Sequence, residues 1–210
     1  MTANACRRVV LALAALVALA SPALAAPGAV AADDMSLGSP TAPVTMFEYT
    51  SVACRLCADF NNNVLPDFWK KYVATGKVRY VLRETLTGNL TLAAQGVLLA
   101  RCAGKDNYFK AIDALFHVQG KIYQADTDDL SLVALHDGLA QVAQNVGLSE
   151  DQMQKCLVDS EAIKAMNRRV NVYPRQDKIA ATPTFIINGK KYEGAQSLAE
   201  FDAILQPLLR

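Results

Sequence analysis

The stretch from Phe47 to Phe60, FEYTSVACRLCADF, decides how this chain reads. Its first residues continue a β-branched and aromatic run that starts at Val44 (VTMFEY). Pro43 and Thr50-Ser51 bound that run, which is the composition of a strand. From Arg55 to about Ala74 the apolar residues Phe60, Val64, Phe68 and Tyr72 recur at near-helical spacing, so a helix follows, kinked at Pro66. Cys54 and Cys57 therefore sit three apart where a strand hands over to a helix. The first cysteine faces the unpaired N–H groups of the opening turn, where negative charge is favoured. That lowers a thiol pKa and makes the thiolate both a nucleophile and a good leaving group.

On spacing alone, Cys54-Arg55-Leu56-Cys57 is also half a zinc site or a small structural ring. Zinc needs two more ligands, and the chain has no second C-x-x-C and no H-x-x-x-H. His117 and His136 stand far apart and read as ordinary helix-surface or packed residues. A C-x-x-C ring adds little loop-closure stabilisation. Redox chemistry is therefore the preferred reading, with the other two still open.

Outward from this stretch, Gly76 ends the helix and Lys77 to Leu82 (KVRYVL) alternates like a second strand. Strand–helix–strand predicts a parallel pair joined by a right-handed crossover. Residues 90 to about 172 are helical in pattern, with breaks at Gly104, Gly120, Asp126-Thr127-Asp128 and Gly147. Ser149 to Gln152 reads as a capping box. Strand character returns at Thr184 to Ile187, then Asn188-Gly189 signals a hairpin into Lys191 to Glu193. Ser197 caps a last amphipathic helix. The order is βαβ, a helical block, then ββα.

The N-terminus has its own logic. Arg7 and Arg8 precede an apolar run from Val9 to Ala20, then Ser21-Pro22 and Ala23-Leu24-Ala25-Ala26. This pattern predicts a secretory signal over residues 1–26, cleaved near Ala25 or Ala26. An uncleaved anchor is the alternative, although the run is short for a bilayer. Cys6 lies ahead of the run, so it is no lipid-bearing cysteine after a cleavage site. Residues 27–43 read as an Ala/Gly/Pro/Ser-rich lead-in.

Without the signal, the 21 Lys and Arg lose Arg7 and Arg8 to leave 19 against 20 acids, with no basic block. Nothing there argues for nucleic acid. The five cysteines become four, an even number that fits disulfide chemistry in an exported chain. Cys102 and Cys156 both fall in the helical block. The preferred reading is a structural disulfide between them, with two buried thiols as the alternative.

Ala181-Thr182-Pro183 precedes the hairpin, and on spacing alone its X-Pro bond is trans by default. The segments FEYTSVACRLCADF, KVRYVLRE and ATPTFIINGKKYEGA, in this element order, resemble the thioredoxin superfamily. Within it the chain resembles the DsbA-like proteins, from about residue 43 to 209. The resemblance implies an α/β thioredoxin fold with a helical subdomain (90–175) between its halves (44–89 and 176–210). It makes Cys54 the exposed reactive cysteine, Cys57 its buried partner and Pro183 a cis-proline against the pair. Thr182 would offer backbone groups to a substrate strand, and Glu48 would be the buried acid beneath the site, the alternative being an edge-strand carboxylate in solvent. Some DsbA-like proteins also carry an extra disulfide in the insertion. Arg83 either pairs with Glu48 or ends its strand in solvent.

One position departs from the pattern: Leu56 stands where family members often carry His. Arg55 is the remaining source of positive charge, so a less oxidising pair is expected. The resemblance implies an exported enzyme, without cofactor or metal, that introduces disulfides into reduced or misoxidised exported proteins. It implies reoxidation by a quinone-linked membrane oxidase of the DsbB type. A reductase or isomerase using the same residues is the nearest rival. Periplasmic isomerases usually carry an N-terminal dimerisation domain, for which residues 27–43 are too few. A non-catalytic metal-binding or chaperone module is the rival from another class.

Overall fold

Val44–Thr50 forms the central strand of the molecule, and each neighbour is added by a segment the sequence pattern marks. The computed structural model describes residues 29–123 and 130–210. The signal expected over residues 1–26 and the break expected at Asp126-Thr127-Asp128 lie outside them. Five strands are described: β1 (Met35–Leu37), β2 (Val44–Thr50), β3 (Val78–Glu84), β4 (Thr184–Ile187) and β5 (Lys190–Glu193). They form one sheet in the order β1-β3-β2-β4-β5. β2 and β3 are parallel, with Val44 opposite Val78 and Thr50 opposite Glu84, while the other pairings are antiparallel.

β1 lies inside the stretch read as lead-in. Three residues are too few to show a period, so it is recognisable only by its pairing with β3. The crossover from β2 to β3 runs through α1 (Arg55–Asn63), α2 (Leu65–Phe68) and a π-helical turn at Trp69–Val73. The predicted single kinked helix is thus divided at Val64. Pro66 stands in the first turn of α2, where its missing N–H breaks no helical hydrogen bond. At the hairpin, Asn188 and Gly189 have φ of 45° and 84°, the left-handed values that a two-residue turn of this kind requires.

Between the halves of the sheet lie α3 (Leu90–Cys102), α4 (Tyr108–Ile122), α5 (Leu132–Asn145), α6 (Glu150–Val158) and α7 (Ser160–Gln176). Ser149 and Gln152 form the predicted capping box at α6. Cys102, the last residue of α3, is joined to Cys156 of α6 by a disulfide. α8 (Leu198–Leu205) follows β5, capped by Ser197.

The sheet pleat divides the core. Val44 and Met46 of β2 face the side that packs α1, α4 and α8, where Phe60, Phe185 and Phe201 meet edge to face. Phe47 and Tyr49 face the other side, with Val81, Ile186 and Tyr173 of α7. Among the described residues, no helix is long and apolar enough to cross a membrane.

Candidate active site

β2 runs to Thr50, and the chain then turns through Ser51-Val52-Ala53 into α1. Cys54 is the N-cap of that helix, and its Sγ accepts the Cys57 backbone N–H at 3.3 Å. The cap position does two things: it satisfies an unpaired donor of the first turn and aims that turn's positive end at the sulfur. Both cysteines are free thiols; Cys54 is partly exposed and Cys57 is fully buried.

Opposite the pair lies the turn before β4. The Thr182–Pro183 peptide bond is cis, and the Cys54 thiol donates to the Thr182 carbonyl at 3.4 Å. The structure thus brings Cys54, Cys57, Thr182 and Pro183 together from segments about 130 residues apart in sequence.

The two sulfurs differ in chemistry. The hydrogen bond from the Cys57 thiol, outweighing partial burial, is the chief cause that lowers Cys54 from 9.0 to about 6. The Thr182 side chain and the backbone N–H groups of Cys57 and Leu56 add to it. Burial pushes Cys57 the other way, far above the ordinary thiol range, and its hydrogen bond to Cys54 adds to that shift. Cys54 is therefore the thiolate of the pair at neutral pH.

Glu48 lies on the face of β2 that carries Val44 and Met46, and it is buried, not a solvent carboxylate. Burial raises it from 4.5 to about 7, against the hydrogen bond from Tyr80. Tyr80 on β3 donates its hydroxyl to the Glu48 carboxylate.

Arg83 is neither the partner of Glu48 nor a solvent-exposed strand end. Glu48 is opposite Leu82 in the parallel register, so Arg83, one residue on, points to the other face. There it is buried and meets Asp34 through Nε and Nη2 at 3.0 and 2.9 Å. It also meets Asp177 at 3.0 Å and the Tyr49 hydroxyl at 2.9 Å.

Arg55 lies with its guanidinium carbon 4.9 Å from the centroid of the Tyr123 ring, and Leu56 is exposed beside Cys54. Cys102 and Cys156 join α3 to α6 in the helical insertion. Among the described residues, no group of three or more His, Cys, Asp or Glu side chains converges to hold a metal.

Several residues that shape the site are not marked by any motif. Gln119 of α4 donates to the carbonyls of Val52 at 2.8 Å and Cys54 at 3.1 Å. Tyr123 donates to the carbonyl of Ala53 at 2.6 Å. The helical insertion thus holds the turn that presents Cys54. A signal for Gln119 exists in retrospect: it is a polar residue on the apolar face of α4 with Leu115 and Ile122. The loop after β3 adds Thr87, whose carbonyl accepts from Ser51 at 2.8 Å. Gly88 follows at φ 75°, where a Cβ would stand 2.5 Å from the Ala53 carbonyl oxygen, so only glycine fits.

Residues 31–207 match the family model described as thioredoxin, most of the chain. The chain belongs to the thioredoxin family. Within that family its architecture is DsbA-like. The crystal structure of Wolbachia pipientis α-DsbA1 matches with a TM-score of 0.74 at 25% identity, covering 86% of this chain and 92% of that one. A Rickettsia bellii relative, provisionally named a protein-disulfide oxidoreductase, is 30% identical over 77% of this chain and 59% of its own length. The Bacillus subtilis relative named disulfide bond formation protein D is 22% identical, over 82% of this thioredoxin-family chain and 74% of its own. The chain spans between half and two thirds of the rickettsial relatives it matches, 59% and 54% of two of them.

Proposed function

We propose that this protein is an exported thiol–disulfide exchange enzyme that introduces disulfides into secreted or periplasmic proteins through Cys54 and Cys57. The observation that carries the reading is the asymmetry of the pair: a partly exposed Cys54 lowered to about 6 beside a buried, strongly raised Cys57. With the pair oxidised, a substrate thiolate attacks Cys54 Sγ. A substrate–Cys54 bond forms, the Cys54–Cys57 bond breaks, and the electron pair leaves on Cys57. Cys57 takes a proton, which Glu48, raised to about 7 on the same side of the sheet, can supply. A second substrate thiolate then attacks the substrate sulfur of the mixed disulfide and expels Cys54 as a thiolate.

Two substrate thiols have become a disulfide, and two electrons rest on the Cys54–Cys57 dithiol. The low pKa of the expelled sulfur favours this direction over its reverse. In this reading Thr182 and Pro183 receive the substrate strand, and the Cys102–Cys156 disulfide is structural. Regeneration needs a two-electron acceptor, which a quinone-linked membrane oxidase of the DsbB type would provide. The names of the relatives support exchange chemistry, and the residue 1–26 pattern supports export.

The test pairs two assays: oxidised protein added to a reduced, unfolded model substrate, and reduced protein added to insulin. Stoichiometric disulfide gain in the first, lost in Cys54→Ser, is expected. Insulin reduction without disulfide gain in the substrate makes the protein a reductase. Activity in neither overturns exchange. N-terminal sequencing of secreted protein, beginning near Ala26, checks export.

A further inference from the structure

We propose that Thr87 is a positioning residue for the exchange reaction, setting the hydroxyl of Thr182 toward the Cys54 sulfur. The inference rests on the reading of Cys54 as the attacked sulfur. The Oγ1 atoms of Thr87 and Thr182 lie 2.8 Å apart, although the residues come from opposite sides of the site. Thr182 is the residue whose carbonyl meets Cys54 Sγ at 3.4 Å, and its side chain is among the groups that lower that thiol.

Thr87 is itself fixed. Its carbonyl accepts the Ser51 hydroxyl at 2.8 Å, and Gly88 behind it packs on the Ala53 carbonyl. The loop after β3 is therefore tied to the turn that carries Cys54, and it reaches across to the cis-proline turn with one hydroxyl.

The proton count of the two hydroxyls gives the pair a direction. Each has one hydrogen to give and lone pairs to receive. When Cys54 is a thiolate, Thr182 gives its hydrogen to sulfur, a charge-assisted bond. Thr182 Oγ1 is then the acceptor for Thr87, whose hydroxyl must donate. When Cys54 is bound in a disulfide, sulfur is a weak acceptor and the Thr182 hydrogen can turn back to Thr87. The pair thus stabilises the thiolate over the disulfide, so it helps expel Cys54 from the mixed disulfide. It supplies, from an uncharged source, part of what a histidine at position 56 would have given.

The experiment is the pH dependence of iodoacetamide alkylation at Cys54 in the reduced protein, beside the redox equilibrium of the pair with glutathione. Thr87→Val keeps the shape and removes the donor. The expected result is a Cys54 titration midpoint about half a pH unit higher and an equilibrium about threefold less oxidising. Thr87→Ser restores both. In a Thr182→Val background, Thr87→Val changes neither, because Thr87 acts only through Thr182. A midpoint unchanged in Thr87→Val overturns the proposal, as does an equal effect in the Thr182→Val background. A wild-type midpoint at the ordinary thiol value, by contrast, overturns the reading of Cys54 itself.

Discussion

Tyr80 on β3 donates its hydroxyl to the Glu48 carboxylate on the neighbouring strand, and both side chains are buried on the face that packs α1. In the parallel register Tyr80 is opposite Met46, two residues before Glu48, so the bond is a same-face diagonal across the pair. Glu48 thus has a neutral partner. A hydrogen bond from a phenol favours the carboxylate, but less than a cation would, and burial wins: Glu48 rises to about 7.

That sets a pH dependence of stability with a definite sign. The folded pKa of Glu48, about 7, lies above its unfolded value of 4.5, so the folded state binds the proton more tightly. Its favourable contribution is complete below pH 4.5 and is lost as pH rises to about 7. Glu48→Gln should therefore match the wild type near pH 4.5 and exceed it above pH 7 by roughly 3 kcal/mol at most. Urea unfolding of the oxidised proteins at both pH values measures this. A variant less stable than wild type above pH 7 refutes the assignment.

Much of this site is legible in the sequence because its chemistry is local. Cys54 at a helix N-cap, the Asn188-Gly189 turn and the Ser149 and Ser197 caps each depend on a few adjacent residues. Contacts made across the fold carry no such mark. Thr87 and Thr182 are 95 positions apart, and Tyr80 and Glu48 are 32 apart. Arg83 shows how narrow the failure is: its strand is correctly placed beside that of Glu48, but a one-residue register offset puts the two on opposite faces. β1, at three residues, is too short to show any period.

Leu56 is exposed beside Cys54, and its side chain, unlike its backbone N–H, has nothing to donate to the sulfur. An imidazole there gains a proton in the pH range where Cys54 loses one, so it stabilises the thiolate by charge. Leu56→His should lower the Cys54 midpoint below its present value near 6 and make the pair about tenfold more oxidising against glutathione. An unchanged or less oxidising variant would show that the backbone N–H groups and Thr182 already saturate the sulfur.

The disulfide between Cys102 and Cys156 closes a loop with a sequence separation of 54 and ties α3 to α6. By loss of chain entropy in the unfolded state, it contributes roughly 4 kcal/mol. The double variant Cys102→Ala, Cys156→Ala should lose stability of that order in denaturant. Its Cys54 alkylation midpoint should stay where it is, since neither residue touches the site. Thiol counting on unfolded, unreduced protein gives an independent check, with Cys102 and Cys156 contributing none.

Arg83 provides the sharpest test of the sheet register. Its guanidinium is buried with two carboxylates, Asp34 before β1 and Asp177 after α7, whose side chains are each 2% exposed. The pairing helps tie the first strand and the helical insertion to the centre of the sheet, beside the Tyr173–Asp33 hydrogen bond. Arg83→Met keeps much of the volume and leaves both carboxylates buried without their cation, a loss of about 3–5 kcal/mol. Adding Asp34→Asn and Asp177→Asn removes the uncompensated charges and should recover most of it. Adding Glu48→Gln instead should recover nothing beyond its own pH-dependent gain, because Glu48 lies across the sheet. Rescue by Glu48→Gln and not by the two asparagines would place Arg83 on the other face and break the register described here.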